Sequence, residues 1–136
     1  MKIFSRAGLE HAVKLDTVAL GVIRNRFVAL AEDRVVMSPI LSMDVAENNG
    51  EVDVKIAYIE GVPQFAIKVS PGFFDNPKLG LPSLNGLMIL FSSQTGLIEV
   101  LLLDKRGYLT GISNALTGAL TSEDLANPEI KTVGII

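Results

Sequence analysis

The chain has 136 residues, 49% of them hydrophobic and 20% charged, and a net charge of −3. One globular domain that buries a core fits this length and composition. A slightly negative chain with no run of Lys or Arg excludes a nucleic-acid footprint, and its apolar runs stop far short of the roughly 20 residues a membrane helix needs.

The start, Met1-Lys2-Ile3-Phe4-Ser5, lacks the long apolar region of a secretory signal, so a cytoplasmic protein is expected. The absence of cysteine removes disulfides, thiolate nucleophiles and zinc–thiolate sites together. His11 is the single histidine and cannot build a metal cluster alone; no metal is expected.

In chain order, Ser5 is suited to cap a short helix reaching about residue 14, and Asp16 to cap a second. In the second, Leu20, Ile23, Phe27 and Leu30 recur at steps of three and four, the stripe of an amphipathic helix that packs on a core. Arg24, Arg26 and Arg34 lie on or just after it and read as a solvated face. A β-rich body follows. Residues 35–37 and 40–45 read as strand segments around Pro39, and Glu47-Asn48-Asn49-Gly50 as a turn. Val52, Val54, Ile56 and Tyr58 then alternate with Asp53, Lys55 and Ala57, the period of a half-buried strand. Further strands are expected over 65–70, 84–91 and 97–103, a helix over 110–126 halted by Asn127-Pro128, and a last strand over 130–136. Strands joined by short turns predict an α+β fold: a mostly antiparallel sheet with helices packed on one face.

Between two of these strands lies the most informative stretch, residues 65–86. An apolar strand with Lys68 in its middle gives way to a loop containing Pro71, Pro77, Pro82, Gly72 and Gly80. Prolines fix φ and glycines permit φ > 0, so the loop has a specified path. A rigid loop beside a lysine is a good place to hold a small molecule. The plainer alternative puts Lys68 on a solvent face with its stem lying over apolar surface.

The run Lys68-Val69-Ser70-Pro71-Gly72-Phe73-Phe74-Asp75-Asn76-Pro77-Lys78-Leu79-Gly80-Leu81-Pro82-Ser83 resembles the ornithine cyclodeaminase/mu-crystallin family, most of all its ectoine-utilisation branch, and the likeness extends over residues 3–136. The resemblance implies relatives with two domains: a first that makes the subunit contact and carries much of the substrate site, and a second that holds NAD or NADP for hydride transfer to or from an amino or imino acid. It places Lys68 at the lysine that contacts the substrate carboxylate, and Ser83 at a Thr/Ser position that touches the cofactor. It also exposes departures. Two family arginines are replaced, one at Ser42 (or, less well aligned, Ile40) and one at Ser113 within Leu109-Thr110-Gly111-Ile112-Ser113, and the turn 104–108 is one residue longer. Serine cannot replace a guanidinium that makes two parallel bonds to a carboxylate or phosphate.

Residues 132–136 look like the first strand of the family's dinucleotide-binding domain, and the glycine-rich phosphate loop that should follow is not in the sequence. The expectation is therefore a substrate and oligomerisation domain over 1–129, an orphan strand over 130–136, and no bound cofactor. Three readings follow: a non-catalytic oligomerising domain, a homodimer or larger; a binding protein for an amino acid, imino acid or ectoine-like compound through Lys68; or half of an enzyme completed by a separate NAD-binding domain.

Overall fold

The computed structural model describes residues 1–132 and 134. In chain order it forms β1 (Lys2–Phe4), α1 (Arg6–Ala12), α2 (Thr17–Ala31), β2 (Val35–Met37), β3 (Leu41–Val45), β4 (Gly50–Ile59), β5 (Gln64–Phe73), β6 (Leu87–Ser92), β7 (Ile98–Leu103) and α3 (Tyr108–Leu125). Single 3-10 turns occur at Ala46–Asn48, Asn76–Leu79 and Lys105–Gly107. The seven strands make one sheet in the order β1-β7-β6-β5-β4-β2, with β3 also paired to β4. Every pairing is antiparallel except β1 with β7, which is parallel. The expected α+β architecture is what forms. None of the described helices is long and apolar enough to cross a membrane.

The helix starts follow the sequence closely. Ser5 Oγ accepts from the Gly8 amide at 3.4 Å and Asp16 Oδ1 from the Ala19 amide at 2.8 Å, each satisfying a first-turn donor. Pro39 separates β2 from β3, and both pair with β4, at Ala57–Ile59 and at Gly50–Val54 respectively. The strand around Lys68 runs three residues past its expected end. Pro71 is tolerated there because its carbonyl, and so its missing N–H, faces the Asn85 amide at 3.2 Å, beyond the first residue of β6. β1 was not foreseen: three residues are too few to show a period. The strand expected over 130–136 includes Val133, Ile135 and Ile136, which lie outside the described residues.

The two faces of the sheet differ sharply. Lys68, Met88, Ala57 and Ile59 point towards α2 and α3, whose side chains share grooves with them. By the two-residue period, Leu41, Met43, Val54, Ile56, Phe65, Ile67, Ile89 and Phe91 point the other way, where no helix packs. The Phe65 and Phe91 rings stack on that bare face with centroids 4.9 Å apart. Among the described residues the buried apolar side chains are all helical: Leu9, Ala29, Leu116 and Leu120. Part of the α2 stripe is less covered than its spacing predicts. Phe27 and Leu30 are 48% and 45% exposed, because the sheet beneath them ends at the three-residue β2 and leaves an open groove.

Two glycines separate steric need from mere tolerance. A Cβ at Gly86 would sit 2.8 Å from the Val69 carbonyl oxygen, a backbone atom that cannot swing away, whereas one at Gly111, inside α3, would meet nothing within 4 Å. Gly111→Ala should stabilise the fold by about 0.5–1 kcal/mol, while Gly86→Ala should lower the denaturation midpoint. Urea melts of the two variants check both signs.

Candidate functional site

The site is assembled by the turn that leads into α3. Arg106 and Gly107 both adopt left-handed backbone, with φ of 64° and 63°. This reversal carries the Asp104 side chain back over the first turn of the helix. Asp104 is only 2% exposed. Its Oδ1 accepts from the Leu109 amide at 2.7 Å and its Oδ2 from the Thr110 hydroxyl at 3.4 Å, so a buried carboxylate faces the positive end of the helix. Thr110 Oγ1 in turn accepts from Lys68 Nζ at 2.9 Å. Lysine, threonine and aspartate thus form a chain from the middle of the sheet to the start of α3.

Lys68 stands in β5, opposite Lys55 on one side and Met88 on the other. Its pKa is lowered from the ordinary lysine value, first by burial, which penalises the ammonium; Asp104 opposes this and Lys55 adds to it. Among the described residues Lys68 has no ion-pair partner.

A cavity of about 460 Å³ opens in front of it, bounded by the α1–α2 link, α2, α3 and the sheet. Val13, Ala19, Ile23, Ile112 and Leu116 supply aliphatic wall. The rim is pinned where the Tyr108 hydroxyl donates to the Val13 carbonyl at 2.9 Å.

The residues singled out from sequence are only partly brought together. Lys68 and Ser113 line the same cavity, and the Ser113 hydroxyl donates to the Thr110 carbonyl at 2.9 Å. Ser42 shares the helix-side face but lies further along it. It donates to Asp53 Oδ1 at 2.9 Å, and Asp53 pairs with Lys55 Nζ at 3.7 Å. Ser83 is in the β5–β6 loop, where its carbonyl accepts from the Phe73 amide at 2.8 Å, and it does not line the cavity. Sequence reasoning missed Asp104 and Thr110. Their signal was an acid separated by a glycine turn from a helix start, a capping pattern that reads as purely structural.

The fold defines a class: an α+β domain whose sheet is covered by helices on one side only and holds a lysine beneath them. The chain belongs to the ornithine cyclodeaminase/mu-crystallin family, whose model matches residues 2–136. It is 50% identical over 135 residues to a protein of Rhizobium meliloti (strain 1021) named provisionally as a dehydrogenase, and 51% identical over 136 residues to an uncharacterized cyclodeaminase of Sinorhizobium fredii (strain NBRC 101917 / NGR234). Each match covers 99% of this chain but 41% of the relative, so the chain spans about two fifths of their length. In structure it resembles the Thermococcus litoralis Δ1-pyrroline-2-carboxylate reductase solved with NADH and L-proline, at a TM-score of 0.86 and 23% identity over 93% of this chain and 38% of that one. It also resembles an archaeal alanine dehydrogenase dimer with bound NAD, at a TM-score of 0.85 and 22% identity over 95% of this chain and 38% of that one. At these identities the structural likeness establishes the fold.

At the helix starts Ser5 accepts from the Gly8 amide of α1, Asp16 from the Ala19 amide of α2, and the buried Asp104 carboxylate from the Leu109 amide of α3.

The lowered Lys68 pKa has a definite consequence for stability. In the alkaline range the native state releases this proton before the unfolded chain does, so the unfolded state holds more protons and stability rises with pH there. Below the native pKa the burial cost is carried in full. Denaturant melts at about pH 8 and about pH 10 should therefore show a smaller gain for Lys68→Met than for wild type; parallel behaviour of the two would refute the assignment.

Proposed function

We propose that residues 1–136 act as an oligomerising domain that pairs with a second copy through the bare face of its sheet and does not itself carry out a reaction. The observation behind this is surface. The chain exposes 9626 Å², against about 6,900 Å² for a folded monomer of this mass. The excess is more than the roughly 800 Å² per partner of an ordinary stable interface. Part of it lies on an apolar face on which Leu41, Met43 and Ile56 are 68%, 59% and 41% exposed. Two copies related by a two-fold axis would cover the same patch on each other. The non-catalytic half of the proposal rests on Ser42 and Ser113, hydroxyls where the family resemblance expects guanidinium groups.

Light scattering at micromolar concentration should give a dimer or larger species of the 14.6 kDa chain, and a clean monomer would sink the proposal. Ile56→Asp puts a charge at the centre of the face without touching the helical core. It should weaken association by a factor of about ten or more, with the far-ultraviolet circular dichroism unchanged.

A second reading is favoured by one observation: a half-buried ammonium, bonded among the described residues only to the Thr110 hydroxyl, faces an open cavity. On this reading the domain binds a small carboxylate of amino-acid, imino-acid or ectoine-like type at Lys68. A ligand of the folded state at 100 times its dissociation constant adds about 2.7 kcal/mol of stability, so a thermal-shift screen detects it. Ligand shifts that survive Lys68→Ala undiminished would dismiss this site. A third reading, hydride-transfer chemistry completed by a separate NAD-binding domain, is consistent with the family. It requires that NAD not bind residues 1–136 alone, which calorimetry measures directly.

A further inference from the structure

The sequence holds two Asn-Gly pairs, Asn49-Gly50 and Asn85-Gly86, and both asparagines are exposed. An asparagine followed by glycine can be attacked by its own main chain, because glycine has no side chain to shield its nitrogen. The glycine nitrogen gives its proton to water and bonds to the asparagine Cγ, and the side-chain nitrogen leaves as ammonia. The product is a five-membered imide ring. Water then opens the ring at one of its two carbonyls. One opening gives aspartate, and the other gives isoaspartate, in which the main chain runs through Cβ and Cγ. Water is the only co-reactant, and nothing is oxidised or reduced.

The fold treats the two pairs differently. Asn49 is held from several sides: its N–H donates to the Ala46 carbonyl at 3.2 Å, its carbonyl accepts from the Phe74 amide at 3.0 Å, and its Nδ2 donates to Asp75 Oδ1 at 3.1 Å. That Phe74 bond makes Gly50 and Phe73 a non-hydrogen-bonded pair, so the Gly50 N–H turns to its other partner, Val45. Ring closure also needs the Gly50 nitrogen and the Asn49 Cβ on the same side of the Cα–C bond. The Asn49 backbone is left-handed, with φ and ψ both 47°, which sets those two atoms almost opposite each other. Closing the ring requires this turn to come undone. Asn85 is held less. Its N–H donates to the Pro71 carbonyl at 3.2 Å, but among the described residues neither its side chain nor the Gly86 N–H makes a hydrogen bond. Leaving group and nucleophile are both unspent.

We propose that Asn85 is a deamidation site of the folded protein, and that Asn49 carries the same chemistry locked by the β3–β4 turn. The position of Asn85 gives its modification an effect. Gly86 abuts the Val69 carbonyl so closely that an added Cβ would lie 2.8 Å from the oxygen. Imide formation adds no atom to the main chain, but opening to isoaspartate adds one. The extra atom falls directly before β6, where that fit leaves no slack, and it loosens the junction of the β5–β6 loop with the sheet.

The test ages the full chain in mildly alkaline buffer, folded and in concentrated urea. Amide-to-acid conversion is followed by mass spectrometry after trypsin digestion. Cleavage after Arg34, Lys55, Lys78 and Lys105 puts Asn49 and Asn85 in separate peptides. In the folded protein Asn85 should convert about tenfold or more faster than Asn49, because a guarded group reacts only in the fraction of molecules whose turn is open. In urea the two rates should converge. Ageing should lower the urea midpoint of wild type and leave that of Asn85→Ser unchanged.

Folded-state conversion at Asn49 that equals or exceeds that at Asn85 overturns the assignment, as does an Asn49 that stays slow in urea. An Asn85 that stays intact in the folded chain while it converts in urea overturns it too. A wild-type midpoint that holds although isoaspartate has formed at position 85 overturns the effect on the β6 junction.

Discussion

The structure depends on the register between β4 and β5, an unbroken ladder from Gly50 opposite Phe73 to Tyr58 opposite Phe65. Side chains alternate along a strand, so a slip of β5 by one residue would turn Lys68 out and drive Ile67 under the helices. Register also sets a conflict, since Lys55 and Lys68 stand opposite each other and like charges so placed repel. It is relieved by sending the two ammonium groups apart, Lys55 to Asp53 and Lys68 to Thr110. Everything at the candidate site follows from that second direction.

The same register gathers the apolar side chains of β3, β4, β5 and β6 on the face no helix covers. A helix layer on one side gives the domain its small core, with Leu116 and Leu120 of α3 and Ala29 of α2 buried. Arg24 of α2 ties the two helices together through Glu123 and Asp124. The other side behaves as half of a core awaiting its complement. Two of the sheet's outer strands, β1 and β2, are three residues long, and short edges blunt strand-to-strand addition.

Much of this was legible in the sequence, for identifiable reasons. Ser5 and Asp16 announced helix starts because few residue types satisfy a first-turn amide, and the alternation from Val52 to Tyr58 announced a strand with two unlike faces. The lysine at 68 stood out because it interrupts an apolar run. What stayed hidden depends on distance in the chain. β1 is a strand only because β7, nearly a hundred residues later, lies alongside it. The exposure of Phe27 and Leu30 follows from where the sheet ends, which helical spacing does not encode. The pairing of Lys68 with Thr110 spans 42 residues and needs the left-handed turn at Arg106 and Gly107 to exist at all.

That turn shows why the site cannot be divided into structural and functional parts. Asp104 is almost fully buried, and a buried carboxylate is tolerated only when its oxygens are met by donors. One donor is the Leu109 amide, which α3 supplies by starting where it does; the other is Thr110, which also receives the Lys68 proton. The negative charge that caps the helix is thus the charge that opposes the lowering of the Lys68 pKa by burial. Removing the carboxylate would loosen the first turn of α3 and lower the Lys68 pKa further in one step. Removing the lysine would leave the cap in place and take the Lys68 ammonium from the cavity. Capping and charge balance run through one side chain, and this asymmetry makes Lys68, rather than Asp104, the residue that can be replaced while the start of α3 is kept.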